Sequence, residues 1–124
     1  PKPESREERL YFMETVLESY PHTLVLKGNE TLVGRLTGHE AVRIVRNRSG
    51  NSGLATAGSG DVLTGLISGL MCQGMPGFES ACLGVYCHGI SAEIACENQS
   101  QRSLIASDSI ANLGAAFLSL EKKL

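Results

Sequence analysis

A chain of 124 residues and 13.2 kDa holds enough apolar side chains for one domain with a core and too few for two. With 42% hydrophobic residues, 19% charged residues and a formal net charge of -2, it is neither a disordered tail nor a nucleic-acid binder with a basic surface. No run approaches the roughly 18 consecutive apolar residues of a membrane span, and residues 1–9 are charged with no apolar stretch behind a basic start. Neither a membrane partner nor a secretory leader is expected. Cys72, Cys82, Cys87 and Cys96 form no CxxC pair and sit among apolar residues. They are expected to be inert buried thiols in a reducing, cytoplasmic compartment.

In chain order, Leu10, Met13, Val16 and Leu17 recur at helical spacing, while Glu7, Glu8, Glu14 and Glu18 fall on the other face. This predicts an amphipathic helix over residues 6–20, ended by Pro21. Residues 23–26 read as a short strand, residues 27–30 as a turn, and residues 31–36 as a second strand. A tight turn at Gly38 and His39 leads to a third strand over residues 41–45, and such short connections imply antiparallel pairing. Residues 47–60 read as a long loop.

The next helix, residues 61–71, is apolar almost all round and is expected to be buried. Gly65 and Gly69 share one of its faces, where another element is expected to pack closely. A helix over residues 79–96 turns Ala81, Val85, Ala92 and Ala95 inward. Ser107, Asp108 and Ser109 offer N-cap chemistry for a last helix over residues 110–121, with Leu113, Phe117 and Leu120 as its stripe. Three strands are expected to be too few for cover on both faces by four helices, so the chain reads as one end of a larger α/β domain.

Glycine is in surplus, with 14 residues against ~7% in ordinary proteins. Ten of the 14 fall between Gly50 and Gly89. At Gly58, Ser59 and Gly60 the backbone can turn sharply into a helix N-terminus, which is an anion-binding arrangement. Asp61 in that first turn is placed to accept a proton from, or orient, an attacking hydroxyl. An ordinary acid-capped helix start has the same spacing. Residues 49–101 contain no Lys or Arg, so an anion there needs backbone N–H groups or a cation from elsewhere. Lys27, at the end of a strand, is the candidate cation, and a solvated turn lysine is the alternative. His22 and His39 read as solvent-facing, and His88 as a hydrogen-bonded interior histidine.

Four segments carry a family resemblance. They are Val25-Leu26-Lys27-Gly28-Asn29-Glu30-Thr31, the fifteen-residue run from Asn51 through Gly58-Ser59-Gly60-Asp61 to Gly65, Gly84-Val85-Tyr86-Cys87-His88-Gly89, and Ala106-Ser107-Asp108. In order, they resemble the later half of the ADP/ATP-dependent NAD(P)H-hydrate dehydratases, members of the ribokinase-like superfamily, from Thr23 to the C-terminus. Ser52, Leu54 and Ser91-Ala92-Glu93 depart from the family's usual proline, methionine and Ala-Gly-Asp. No motif of the family's earlier half is recognisable before Thr23.

The resemblance implies the C-terminal portion of a ribokinase-like three-layer α/β/α fold across residues 1–124. It also implies dehydration of (6S)-NAD(P)H hydrate back to NAD(P)H, driven by hydrolysis of ADP or ATP with Mg²⁺. By the same resemblance, Lys27, Gly28, Asn29, Glu30 and Thr31 match the nucleotide-binding segment and Gly60 a nucleotide contact; Gly58 and Ser59 join them as nucleotide-binding residues from the anion-binding reading of the helix start. Asp61 is the catalytic residue and touches the hydrate; no residue is assigned as a metal ligand. Gly28 is expected to clear the nucleotide's approach. The alternatives are a ribokinase-like kinase of vitamin precursors and a non-catalytic remnant or interaction module. The partners implied are the hydrate and an adenine nucleotide, with a second copy of the chain or the missing half covering its open edges.

Overall fold

The structure is a computed structural model that describes residues 4–38 and 41–124. Helix α1, Arg6–Ser19, starts at a reciprocal cap: Ser5 Oγ accepts from the Glu8 N–H at 3.1 Å, and Glu8 Oε2 accepts from the Ser5 N–H at 3.4 Å. Strands β1, Leu24–Leu26, β2, Leu32–Leu36, and β3, Val42–Arg46, form one antiparallel sheet in that order. Val25 pairs with Val33, and Val33 with Val45. The turn expected at Gly38 and His39 includes a residue, His39, that lies outside the described residues. His22 is exposed, as expected.

Side-chain alternation sorts the sheet into two faces. Leu24, Leu26, Leu32, Val42 and Ile44 meet Met13 and Leu17 of α1. Both of these α1 side chains are fully buried, and each contributes about 1.5–3 kcal/mol relative to exposure. On the other face, Val25, Val33 and Val45 meet Leu63 and Ile67 of α2, Ser59–Cys72, and Phe78, Ala81 and Val85 of α3, Gly77–Ala95. Helix α4, Ala106–Glu121, lies mainly against α3. Three helices rather than four therefore cover the sheet, because α4 stacks outside the layer that touches it.

Helix α2 departs further from its reading. Leu63 and Leu70 are buried, but Asp61, Thr64, Gly65, Gly69 and Met71 are exposed. A Cβ at Gly65 or Gly69 would meet no described atom within 4 Å. The close approach is instead at Gly84 of α3, where a Cβ would lie 2.6 Å from Ile67 Cγ1. Hydropathy marked α2 as apolar but could not say which of its faces this chain covers.

Three helix starts are earlier than expected, α2 among them at Ser59 rather than Asp61. Helix α3 begins directly after Pro76, and its inward Ala81, Val85, Ala92 and Ala95 are all buried. Helix α4 begins at Ala106, so residues 107–109 lie inside its first turn rather than before it. Asp108 Oδ2 reaches back to accept from the Ile105 N–H at 3.0 Å. That bond, then one from Gln99, holds the Asp108 carboxyl below its usual range. Leu113, Phe117 and Leu120 are only half-buried, and Ala116 is the fully buried apolar side chain of α4.

The four cysteines are free thiols. Cys87 is buried and Cys82 half-buried, and burial pushes both thiols up. Cys72, however, is exposed at the end of α2, against the expectation of four buried thiols.

Candidate functional site

A cavity of about 570 Å³ opens where the β1–β2 loop, the loop after β3, and the facing parts of α2 and α3 converge. That volume lies in the range of sites for small organic ligands, about 300–1,000 Å³. Lys27, Gly28, Asn29 and Thr31 line one side, and Ser59 and Gly60 the end of α2. Val85, His88 and Gly89 supply the α3 wall. Segments remote in sequence and singled out for one ligand thus share one cavity.

The α2 end of the cavity is built from backbone. Gly58 takes φ 83°, a left-handed conformation that favours glycine, and no side chain caps the helix. The first helical bond over this turn runs from the Val62 N–H to the Gly58 carbonyl at 3.1 Å. The N–H groups at the start of α2 point along the positive end of its dipole. Lys27 supplies the cation that residues 49–101 lack: a Cβ added at Gly60 would lie 2.5 Å from Lys27 Nζ. Gly60 is therefore the residue that lets an ammonium group rest against the helix end.

Helix α1 shapes the lysine loop. Arg9 Nη1 donates to the Glu30 carbonyl at 2.9 Å, and Arg9 Nη2 to the Leu26 carbonyl at 3.0 Å and the Lys27 carbonyl at 3.4 Å. A Cβ at Gly28 would sit 2.8 Å from Arg9 Nη2. The space into which a Gly28 Cβ would project is thus taken by Arg9, while Gly28 itself lines the cavity. The Glu30 side chain turns to Arg46, whose Nε lies 3.0 Å from Glu30 Oε2, and Glu30 is not among the residues lining the cavity. Gly58 shapes the turn without lining the cavity.

The opposite wall is pinned to α3. Ser49 Oγ donates to the Tyr86 carbonyl at 2.9 Å, the Gly50 N–H to Glu93 Oε1 at 2.8 Å, and Asn51 Nδ2 to the Ala92 carbonyl at 3.3 Å. Gly89 permits this approach, since a Cβ there would fall 2.6 Å from Ser49 C and 2.8 Å from Gly50 N. Two departures from the family pattern have local partners: Glu93 holds Gly50, and Ser52 Oγ donates to Gln101 Oε1 at 2.7 Å.

His88 is 5% exposed, and its Nε2 has no protein hydrogen-bond partner. Leaving such a group unpaired costs about 1–3 kcal/mol. Burial first, and then the charge on Lys27, lowers its pKa, so the ring is held neutral. An interior histidine was legible in the sequence; that its Nε2 is shielded and has no hydrogen-bond partner among the described residues was not, and it differs from the hydrogen-bonded histidine expected. Arg9 was missed altogether, because its role lies in three backbone carbonyls that no side-chain pattern reports.

Asp61 stands apart from the cavity. It is exposed and borders a shallow apolar groove with Val62, Gly65 and Leu66 of α2 and Ile110 and Leu113 of α4. The start of α2 therefore separates two surfaces, with Gly60 facing Lys27 and Asp61 facing the groove. Among the described residues no three His, Cys, Asp or Glu side chains gather into a metal cage, and no helix is long and apolar enough to cross a membrane.

A family model described as NAD(P)H-hydrate dehydratase matches residues 2–113. The likeness thus extends through α1, beyond the Thr23 boundary drawn from the motifs. A bifunctional NAD(P)H-hydrate repair enzyme Nnr from Moorella thermoacetica is 36% identical over 118 residues, covering 95% of this chain and 22% of that protein. The ADP-dependent (S)-NAD(P)H-hydrate dehydratase of Neisseria meningitidis serogroup B is 51% identical over 76 residues, covering 61% of this chain and 24% of that protein. The crystal structure of the ADP/ATP-dependent NAD(P)H-hydrate dehydratase from Bacillus subtilis, co-crystallised with ATP/Mg²⁺, matches with a TM-score of 0.82 at 27% identity. That match covers 92% of this chain and 40% of the Bacillus chain. The chain has the α/β architecture of part of a ribokinase-like domain, and it belongs to the NAD(P)H-hydrate dehydratase family.

Proposed function

We propose that this chain forms the nucleotide-binding part of an enzyme that dehydrates (6S)-NAD(P)H hydrate in the cytoplasm at the expense of ADP or ATP. The observation that carries the reading is the convergence of Lys27, Ser59 and Gly60 on one cavity at the uncapped start of α2. An ammonium group and a helix N-terminus together select a phosphate. Asn29 and Thr31 line the same wall and offer polar groups to the rest of the nucleotide.

Asp61 is the proposed catalytic residue. Its carboxylate lies one residue beyond the phosphate cradle and on the other side of the helix start. A hydrate lying in the α2–α4 groove would present its hydroxyl to Asp61, which takes the proton as the oxygen attacks the terminal phosphoryl group. The phosphorylated oxygen then leaves as phosphate with the C–O electron pair, the adjacent ring carbon gives up a proton to solvent, and the electrons of that C–H bond restore the ring double bond. The start of α2 serves both halves of this step.

Mg²⁺ would arrive on the nucleotide phosphates, since it commonly keeps waters and phosphate oxygens as ligands. Bound there, Mg²⁺ would neutralise charge developing on the phosphates. Lys27 and the α2 N–H groups hold the nucleotide.

The chain spans less than a quarter of the length of the two curated relatives, so complete turnover is proposed for the polypeptide in which the Asp61 groove is covered. The test is an assay of NADH reappearance from the purified hydrate with ADP, with ATP, and with no nucleotide. Nucleotide-dependent recovery is expected. Turnover of a vitamin-precursor alcohol but not of the hydrate would reject the reading in favour of a kinase.

A further inference from the structure

Two charged patches lie on opposite sides of the sheet and take no part in the cavity or in the Asp61 groove. Arg35 of β2 and Arg43 of β3 stand directly opposite each other in the antiparallel register, on the face that carries Val33 and Val45. Like charges in that position repel. Phe78 orders both of them: the Arg35 and Arg43 guanidinium carbons lie 4.9 and 5.4 Å from the centre of its ring, within reach of a cation–π contact. Phe78 is itself buried, so the two cations rest on a fixed ring. Arg43 is exposed and Arg35 half-buried. Among the described residues Glu30 and Arg46 form the ion pair, and neither Arg35 nor Arg43 meets a carboxylate, that of the adjacent Glu79 included.

The complementary charge is on α1. Glu7, Tyr11, Glu14 and Glu18 follow one another at steps of three or four residues, which sets them in one row along the helix. All four are exposed, Tyr11 at 72%. No Lys or Arg stands three or four residues from any of these glutamates, so Glu14 and Glu18 repel each other without a local counter-charge. Met13 and Leu17 hold α1 to the face of the sheet opposite Phe78. The acidic row therefore cannot reach the arginine pair of its own chain. Between two copies the patches are complementary, because each relieves the repulsion within the other and Tyr11 brings an exposed ring to the guanidinium groups.

We propose that the chain self-associates head to tail, with the Glu7, Glu14 and Glu18 row of one copy docking on the Arg35–Arg43 pair of the next. The two patches differ, so the contact is heterologous, and a docked pair still offers one free acidic row and one free arginine pair. A few surface charges make a transient contact that salt weakens. The proposal goes beyond the nucleotide reading of the cavity and does not depend on it.

The experiment is sedimentation equilibrium over a concentration series reaching about 1 mM, in about 20 mM and about 500 mM salt. The samples are the wild type, Arg43→Glu, the double variant Glu14→Lys with Glu18→Lys, and an equimolar mixture of the two variants. At low salt the wild-type average mass should rise with concentration above the 13.2 kDa of one chain, and high salt should return it to that value. Each variant alone should stay monomeric. Their mixture should form pairs at low salt, because Arg43→Glu keeps its acidic row and the double variant keeps its arginines. A wild type that stays monomeric throughout overturns the proposal, as does either variant associating like the wild type. A mixture that stays monomeric overturns the head-to-tail pairing. Should a charge reversal unfold the chain, Arg43→Gln and Glu14→Gln take its place; each should weaken wild-type association about two- to fivefold, and undiminished association in both overturns the contact.

Discussion

The two sides of the α2 start are built differently. On the cavity side two walls are held by bonds within this chain: Arg9 holds the lysine loop by its carbonyls, and Ser49, Gly50 and Asn51 are tied to α3. On the Asp61 side the surface is a shallow groove flanked by exposed or half-buried apolar groups, among them Ile110, Leu113 and Leu66. In the proposed function, nucleotide recognition is local enough to be encoded in one chain segment, whereas the proposed site for the second substrate needs more wall than α2 and α4 provide.

Several substitutions would break or sharpen that contrast. The largest expected effect is on chemistry alone. Asp61→Asn in the hydrate assay should lower turnover about 10²- to 10⁴-fold while leaving the ADP dissociation constant within about twofold. A normal rate would remove Asp61 from the mechanism, and a matching loss of ADP affinity would merge the two sides. Next, Lys27→Met should weaken ADP binding by roughly 10- to 100-fold, the scale of one charge-assisted contact, with little change in melting temperature. Unchanged affinity by calorimetry would count against the cradle.

Gly89→Ala probes the wall rather than a contact. Its methyl group would collide with Ser49 and Gly50 backbone atoms, and overpacking of this kind costs about 1–3 kcal/mol. Thermal melts should show that loss, accompanied by weaker ADP binding as the loop moves. Arg9→Lys is milder: it keeps the charge but cannot span the Leu26 and Glu30 carbonyls together. ADP affinity should fall several-fold, by the equivalent of about 1 kcal/mol, and an unaltered dissociation constant would show that the loop holds its shape without α1.

The smallest effect concerns pH. The pKa of His88 is lowered in the fold from its ordinary value of 6.5, so between the folded and unfolded values the unfolded chain binds more protons. Its contribution to stability is therefore complete above the unfolded pKa and declines as pH falls below it. Melting curves of His88→Phe should be flatter than wild type on the acid side. Parallel curves would mean that the ring does not titrate differently on folding.

Much of this architecture was legible in the residues because it is local. The alternation of Val42 and Ile44 with Arg43 in β3 and the 3.6-residue spacing of Met13 and Leu17 in α1 report which faces meet across the sheet. The segments around Lys27 and Gly60 carried the family resemblance. The misread features depend on what packs where. Gly65 and Gly69 share a face, but only tertiary structure shows Gly84 making the close approach. Asp108 looks like a cap ahead of a helix, yet it reaches back from inside the first turn. Arg9 and the unpartnered Nε2 of His88 depend on which backbone carbonyls and side chains pack beside them, and those come from chain segments far away in sequence.

The most direct measurement of the two-sided α2 start is amide chemical-shift mapping of the isotopically labelled chain during an ADP titration. The account predicts saturable shifts at Lys27, Gly28, Asn29, Thr31, Ser59, Gly60 and Gly89, with Gly65, Gly69 and Leu113 nearly still. Shifts concentrated at Gly65, Leu66 and Leu113 would place the nucleotide in the Asp61 groove, and the absence of any saturable shift would deny the chain a nucleotide site; either result would contradict it.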